Sequence, residues 1–235
     1  MKAQLGIVGL GRMGANLARL AVRRGFRVAG YTRGKRPRIG RGFTGARDLA
    51  ALCEKLERPR RVILYVPAGA AVDALIDSLA KLLEAGDLIA DGGNSYWGDS
   101  IRRHQRLRTL GIDFVDVGTS GGVPGASAGA CFMVGGESRA VARIAPILKR
   151  LAVKGGYVHA GGPGTGHFHT PVCTVRPRHG TSAGRPTLTD SSVAIRPWGR
   201  RSGRGRVAPG PATSAPSRGT TTRRRRPRPH GAPAC

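Results

Sequence analysis

Acidic residues are scarce in this chain: 13 Asp and Glu stand against 40 Lys and Arg, for a formal net charge of +27. The scarcity is uneven. Residues 1–168 hold 12 of the acids, whereas residues 169–235 hold one, Asp190, beside 14 Arg, no Lys and ten of the 16 prolines. No run reaches the ~18 apolar residues of a membrane-spanning helix. The N-terminus enters an apolar strand pattern at once, without the charged, apolar and small-residue regions of a secretory signal. Cysteine is also sparse. Cys53, Cys131, Cys173 and Cys235 are too far apart for a metal or redox motif, so no metal is expected and a reduced, cytoplasmic setting is.

Apolar periodicity is confined to the first 168 residues. Gln4–Gly9, Arg27–Tyr31, Arg61–Val66, Asp87–Asp91, Asp113–Val117, Ala130–Val134 and Gly156–His159 read as strands. Arg12–Arg24, Asp48–Leu56, Val72–Leu83, Asp99–Leu110 and Ser138–Leu151 read as helices, the first closed by Gly25. Gly34–Gly42 reads as a basic loop. Strands alternating with helices at this spacing predict an α/β fold, a Rossmann-type doubly wound, mainly parallel sheet. Ligands of such sheets sit at the carboxyl ends of the strands. Residues 169–235 show no periodicity and too little apolar surface to offset ordering entropy, so a disordered basic tail is expected there. That tail would contact nucleic acid only non-specifically, since it lacks aromatic interleaving and a binding motif.

Gly9-Leu10-Gly11-Arg12-Met13-Gly14 places a GxGxxG between the first strand and the first helix. Gly9 permits the tight turn, Gly11 lets a pyrophosphate approach, and Gly14 lets helix and strand pack closely. An acid at the end of the second strand would bind the ribose 2′-hydroxyl of NAD. Here Thr32, Arg33 and Gly34 stand instead. A hydroxyl and a guanidinium suit a 2′-phosphate, so NADP is expected, with NAD possible; Arg33 could also be one more exposed arginine of a basic loop. His104 is expected to be a solvated helix residue, His159 a strand residue near the surface, and Trp97 a packing anchor at a helix start.

The fingerprint resembles the β-hydroxyacid dehydrogenase superfamily. Asp91-Gly92-Gly93-Asn94-Ser95 and Ser120-Gly121-Gly122-Val123-Pro124-Gly125-Ala126 resemble the 6-phosphogluconate dehydrogenase family. Asn94–Ser100, Asp116–Ser120 and Met133–Glu137 are similar to its shorter bacterial branch. The resemblance covers about residues 1–168. It implies that Gly9 through Gly14 hold the pyrophosphate and that Thr32, Arg33 and Gly34 surround the adenosine ribose. It implies that Val66, Pro67 and Ala68 line the cofactor cleft, with Pro67 where the family often has Lys. Asn94 would touch both the nicotinamide ribose and a sugar-phosphate acid, and Ser120, Gly121 and Gly122 would receive the substrate carboxylate.

The same resemblance locates a deficit. Gly164-Thr165-Gly166-His167-Phe168 is similar to the approach to the family's catalytic helix, whose Lys acts as general base and whose Glu acts as acid. The Lys position is Thr170, the His Cys173, the Asn Thr174 and the Glu Pro177. No catalytic residue is therefore assigned, and the family's helical domain and dimer interface are expected to be missing. A reading-frame shift near codon 168 of a GC-rich gene would produce this composition. The expected function is that of a 6-phosphogluconate dehydrogenase-like oxidoreductase of the pentose phosphate pathway, reduced to an inactive cofactor-binding fragment. The alternatives are a dinucleotide-binding module whose basic tail contacts nucleic acid, or another β-hydroxyacid dehydrogenase.

Overall fold

The computed structural model describes residues 1–34 and 37–170. Residues 171–235, with Pro171, Cys173, Thr174, Pro177 and Cys235, lie outside the described residues, whereas His169 and Thr170, the first two residues of the expected tail, are described. Along the chain run β1 (Leu5–Val8), α1 (Arg12–Arg23), β2 (Val28–Tyr31), β3 (Phe43–Gly45), α2 (Leu49–Glu54), β4 (Arg61–Leu64), α3 (Ala70–Ala80) and β5 (Leu88–Asp91). They are followed by α4 (Trp97–Arg108), β6 (Asp113–Ser120), α5 (Gly122–Ala128), β7 (Ala130–Gly135), α6 (Ser138–Leu151), β8 (Ala152–Gly161) and α7 (Thr165–His169).

The strands form one sheet in the order β3-β2-β1-β4-β5-β6-β7-β8. Every adjacent pair is parallel except β6 and β7. Successive side chains alternate between faces, so one strand feeds two cores. Leu5 and Ile7 of β1 join Ile63, Leu88, Ala90, Val115 and the inner faces of α1 and α6. Val8 joins Val62, Leu64, Ile89, Phe114 and the inner faces of α2, α3 and α4. Helices on both faces make the sheet doubly wound.

Local sequence accounts for several boundaries. Asp48 caps α2 by accepting a hydrogen bond from the Ala51 N–H at 2.7 Å. Gly25, φ +87°, follows the last turn of α1 in the left-handed region and lets the Phe26 N–H reach the Ala21 carbonyl. The expected helix Ser138–Leu151 is found with those bounds.

Other boundaries differ from expectation. β3 falls where no strand was expected, because three residues between glycines carry no periodic pattern and only pairing with β2 defines them. Gly122–Ala128, where no element was expected, is a short helix. β6 runs on to Ser120 and β8 begins four residues early, because each pairs with β7. β4 stops at Leu64, leaving Tyr65 and Val66 free to line a cleft. Leu75 turns partly to that same cleft. His104 is not solvated: its side chain is 12% exposed and its Nε2 lies 3.4 Å from Glu137, on the segment joining β7 to α6. His159 is exposed on β8, with Nε2 within 3.1 Å of the Gly136 and Gly161 carbonyls. Trp97 opens α4 and packs edge-on against Phe168, ring centroids 6.1 Å apart. No helix among the described residues is long and apolar enough to cross a membrane.

Candidate dinucleotide-binding site

The chain leaves β1 through Gly9, whose φ of +91° lies where L side chains are rare. A Cβ on Gly9 would stand 2.2 Å from the Tyr65 carbonyl oxygen, and one on Gly14 would stand 2.1 Å from the Gly9 carbonyl oxygen. Turn, helix and neighbouring strand end are therefore in backbone contact. Gly11 differs: nothing lies within 4 Å of where its Cβ would be. It is the N-cap of α1, it supplies no side-chain cap, and the first helical turn carries no acid. An uncapped helix start of this kind presents N–H groups and the positive dipole end to an anion.

Gly9 and Gly11 border a cleft of about 570 Å³. Thr32, Arg33 and Gly34 border it on one side, and Val66 and Pro67 on another. Leu49, Ala71, Ala74 and Leu75, from α2 and α3, give it an apolar wall. No carboxylate lines it among the described residues. The residues present fit a dinucleotide: bare N–H groups for the phosphates, a hydroxyl and a guanidinium for the ribose end, and an apolar slot for a base.

A second pocket, about 250 Å³, adjoins it and is lined by Met13, Tyr65, Val66, Gly92, Gly93, Asn94, Thr119 and Thr170. Met13, Val66 and Asn94 are thus brought together beside Thr170. Other expected site residues stand apart. The Leu10 side chain is buried in the core and offers the site only its backbone. Arg12 is exposed at the start of α1. Ala68 is exposed and lines neither pocket, and neither do Ser120, Gly121 and Gly122, although Thr119 next to them does.

Two buried carboxylates fix the turns around these pockets. Asp91, fully buried at the end of β5, accepts hydrogen bonds from the Gly93 N–H at 3.0 Å and the Ser95 hydroxyl at 2.7 Å, holding the turn that presents Asn94. Arg103, also fully buried, reaches Asp91 at 3.2 Å and Asp73 at 2.8 Å, tying that turn to α3. Its guanidinium, with Arg102, holds the Asp73 carboxyl below its ordinary range. Asp116, fully buried in β6, accepts from the Gly164 N–H at 2.7 Å and the His167 N–H at 2.9 Å, capping α7. Ser100 Oγ lies 2.8 Å from His167 Nδ1 on the same element.

Sequence reasoning did not single out Tyr65, Thr119, Arg103, Leu49, Ala71 or Ala74 as site residues. For Asp91 a signal exists, a lone acid at the end of an apolar strand beside a glycine, and for Asp116 an acid set within an apolar strand between two valines. For Arg103, one arginine of a polar helix face, there is none.

The model of the NAD binding domain of 6-phosphogluconate dehydrogenase matches residues 4–161. The chain belongs to that family. It is 45% identical over 160 residues to the decarboxylating 6-phosphogluconate dehydrogenase of Cunninghamella elegans, covering 65% of this chain and 33% of that one. A Bacillus subtilis relative, named as NAD(+)-dependent and decarboxylating, is 39% identical over 175 residues, covering 70% and 37%. The Plasmodium falciparum 6-phosphogluconate dehydrogenase structure superposes with a TM-score of 0.65 at 32% identity, over 70% of this chain and 38% of that one. The 3-hydroxyisobutyrate dehydrogenase of Mycobacterium tuberculosis does so with 0.62 at 27% identity, over 72% and 57%. The chain spans about a third to just over half of the length of the curated relatives it matches.

Proposed function

We propose that residues 1–168 are the cofactor-binding half of a 6-phosphogluconate dehydrogenase-like oxidoreductase, with NADP held in the 570 Å³ cleft. The observation that carries this reading is the pairing, in one cleft without a carboxylate, of an uncapped α1 start with Thr32 and Arg33. The α1 N–H groups and Gly11 would take the pyrophosphate, and Thr32 and Arg33 the 2′-phosphate. Asn94, with donor and acceptor at the strand end, would bridge the nicotinamide ribose and a sugar-phosphate acid, whose carboxylate would meet Ser120–Gly122. Bound there, the nicotinamide supplies the hydride acceptor for oxidation of the acid's hydroxyl.

The positions that the resemblance gives to the proton-handling groups of that reaction hold Thr170 and Pro177. Thr170 stands where the family's resemblance puts the general base, and its hydroxyl already donates to the Gly166 carbonyl at 2.9 Å. An alcohol has no basicity for this task near neutral pH. The full chain is therefore read as a binding-competent, non-catalytic product, in the cytoplasm, with residues 169–235 encoded out of frame. Fluorescence titration with NADPH, followed by an assay of CO₂ release from 6-phosphogluconate, tests this. Binding without turnover is expected; absence of NADPH binding, or steady CO₂ release, overturns it. Another frame of the same DNA after codon 168 should spell Lys-x-x-x-Asn-x-x-Glu, and a frame without that series removes the frame-shift explanation.

Similarity to a 3-hydroxyisobutyrate dehydrogenase favours a second reading, a site for a smaller hydroxy acid. Protection of the NADPH complex against thermal unfolding by 3-hydroxyisobutyrate but not by 6-phosphogluconate would select it. A nucleic-acid role of the basic tail would need binding that prefers one nucleic-acid sequence over others and is lost on removal of residues 169–235; salt-dependent binding that survives the removal would place the contact on residues 1–168.

A further inference from the structure

Tyr65 borders both the dinucleotide cleft and the smaller pocket. Its ring leaves the end of β4, passes over Gly92 at the end of β5 and reaches β6. A Cβ on Gly92 would lie 2.7 Å from Tyr65 Cζ, so only glycine leaves room for this crossing. The phenol oxygen ends 3.1 Å from Thr119 Oγ1. Thr119 Oγ1 also lies 3.4 Å from the Val117 carbonyl, and either hydroxyl can donate in the Tyr65–Thr119 pair. In both arrangements the phenol oxygen keeps a lone pair free to accept. Burial pushes Tyr65 up to about 12, so the phenol proton stays in place through neutral pH. Met13, Asn94 and Thr170 complete the same small pocket, and none of them spans the sheet in this way.

We propose that Tyr65 seats the nicotinamide end of the cofactor, its phenol oxygen accepting an N–H from the carboxamide while Thr119 fixes its position. This rests on the cofactor reading above. A nicotinamide carboxamide offers two N–H donors, and a fixed acceptor at the pocket wall selects one ring orientation. Tyr65 is a positioning residue for the ring; Thr119 acts through it.

Two probes separate the ends of the ligand: NADPH, and adenosine 2′,5′-bisphosphate, which carries the adenine and 2′-phosphate without nicotinamide. In the full chain, Tyr65→Phe should weaken NADPH by about 3- to 10-fold, the worth of one hydrogen bond, and leave the bisphosphate unchanged. Thr119→Val should weaken NADPH less, and the double variant should bind as Tyr65→Phe does. Equal losses for both probes would reduce Tyr65 to a packing residue, and no loss for either would also overturn the proposal. If the unmodified chain binds the bisphosphate, the cofactor reading stands whatever Tyr65→Phe does. If it does not, both fall together.

Discussion

Two glycine-rich junctions in this molecule lead into a helix, and they are built in opposite ways. At Gly9–Gly14 the helix start is bare: Gly11 has open space beside it and no side chain caps α1. At Gly164–Gly166 the helix start is plugged: Asp116 takes two of its N–H groups, and a Cβ on Gly166 would lie 2.4 Å from the Asp116 carbonyl oxygen and 2.6 Å from that of Met133. A backbone donor left open is available to a ligand; one satisfied by a buried carboxylate serves the fold. Glycine content alone does not tell the two apart.

Substitutions can break that comparison at either junction. The largest effect is expected for Gly14→Val, which drives side-chain atoms into the Gly9 turn. Unfolding free energy should fall by at least about 3 kcal/mol and NADPH binding should vanish, read by urea unfolding and fluorescence titration. Gly166→Ala should cost about 2–3 kcal/mol in the same unfolding measurement while adenosine 2′,5′-bisphosphate still binds, because the crowding is confined to the plugged junction. Arg33→Ala should weaken NADPH by about tenfold and leave NADH affinity unchanged, the loss of one charged contact to a 2′-phosphate. Gly11→Ala should cost only about 0.5 kcal/mol of stability, since its surroundings are open, yet weaken both dinucleotides. Equal stability losses at Gly11 and Gly166 would erase the distinction.

The smallest effect concerns pH. Asp73 titrates below its ordinary value because it accepts from Arg103, with Arg102 assisting. A carboxyl depressed in the folded state contributes stability that is present above its unfolded value of about 3.8 and lost as pH falls through the lower folded value. Asp73→Asn should therefore flatten the acid limb of the stability curve below about pH 4, followed by thermal melts across that range.

The α/β class, the mainly parallel sheet and the glycine turn were legible in the sequence, because short continuous apolar runs and helical faces such as Leu17, Leu20 and Ala21 are local signals. β3 and the ends of β6 and β8 were not, because pairing with a neighbouring strand sets them. Leu75 and Leu49 look like core residues along the chain, and only the tertiary fold brings them to the wall of the cleft. His104 reads as a polar helix residue, and the approach of Glu137 encloses it.

The order of residues by itself settled that a GxGxxG turn follows the first strand, that no acid follows the second, and that a threonine, Thr170, stands two positions after Phe168. All three are facts of one or a few neighbouring positions. Tertiary packing decided that Asp116 closes one helix start while the other stays open, that Arg103 ties Asp91 to Asp73, and that Tyr65 crosses Gly92 to reach Thr119. Each of these joins residues 12 to 54 positions apart. Burial makes such contacts obligatory, because a carboxylate, guanidinium or N–H removed from water must find its partner wherever the fold places one.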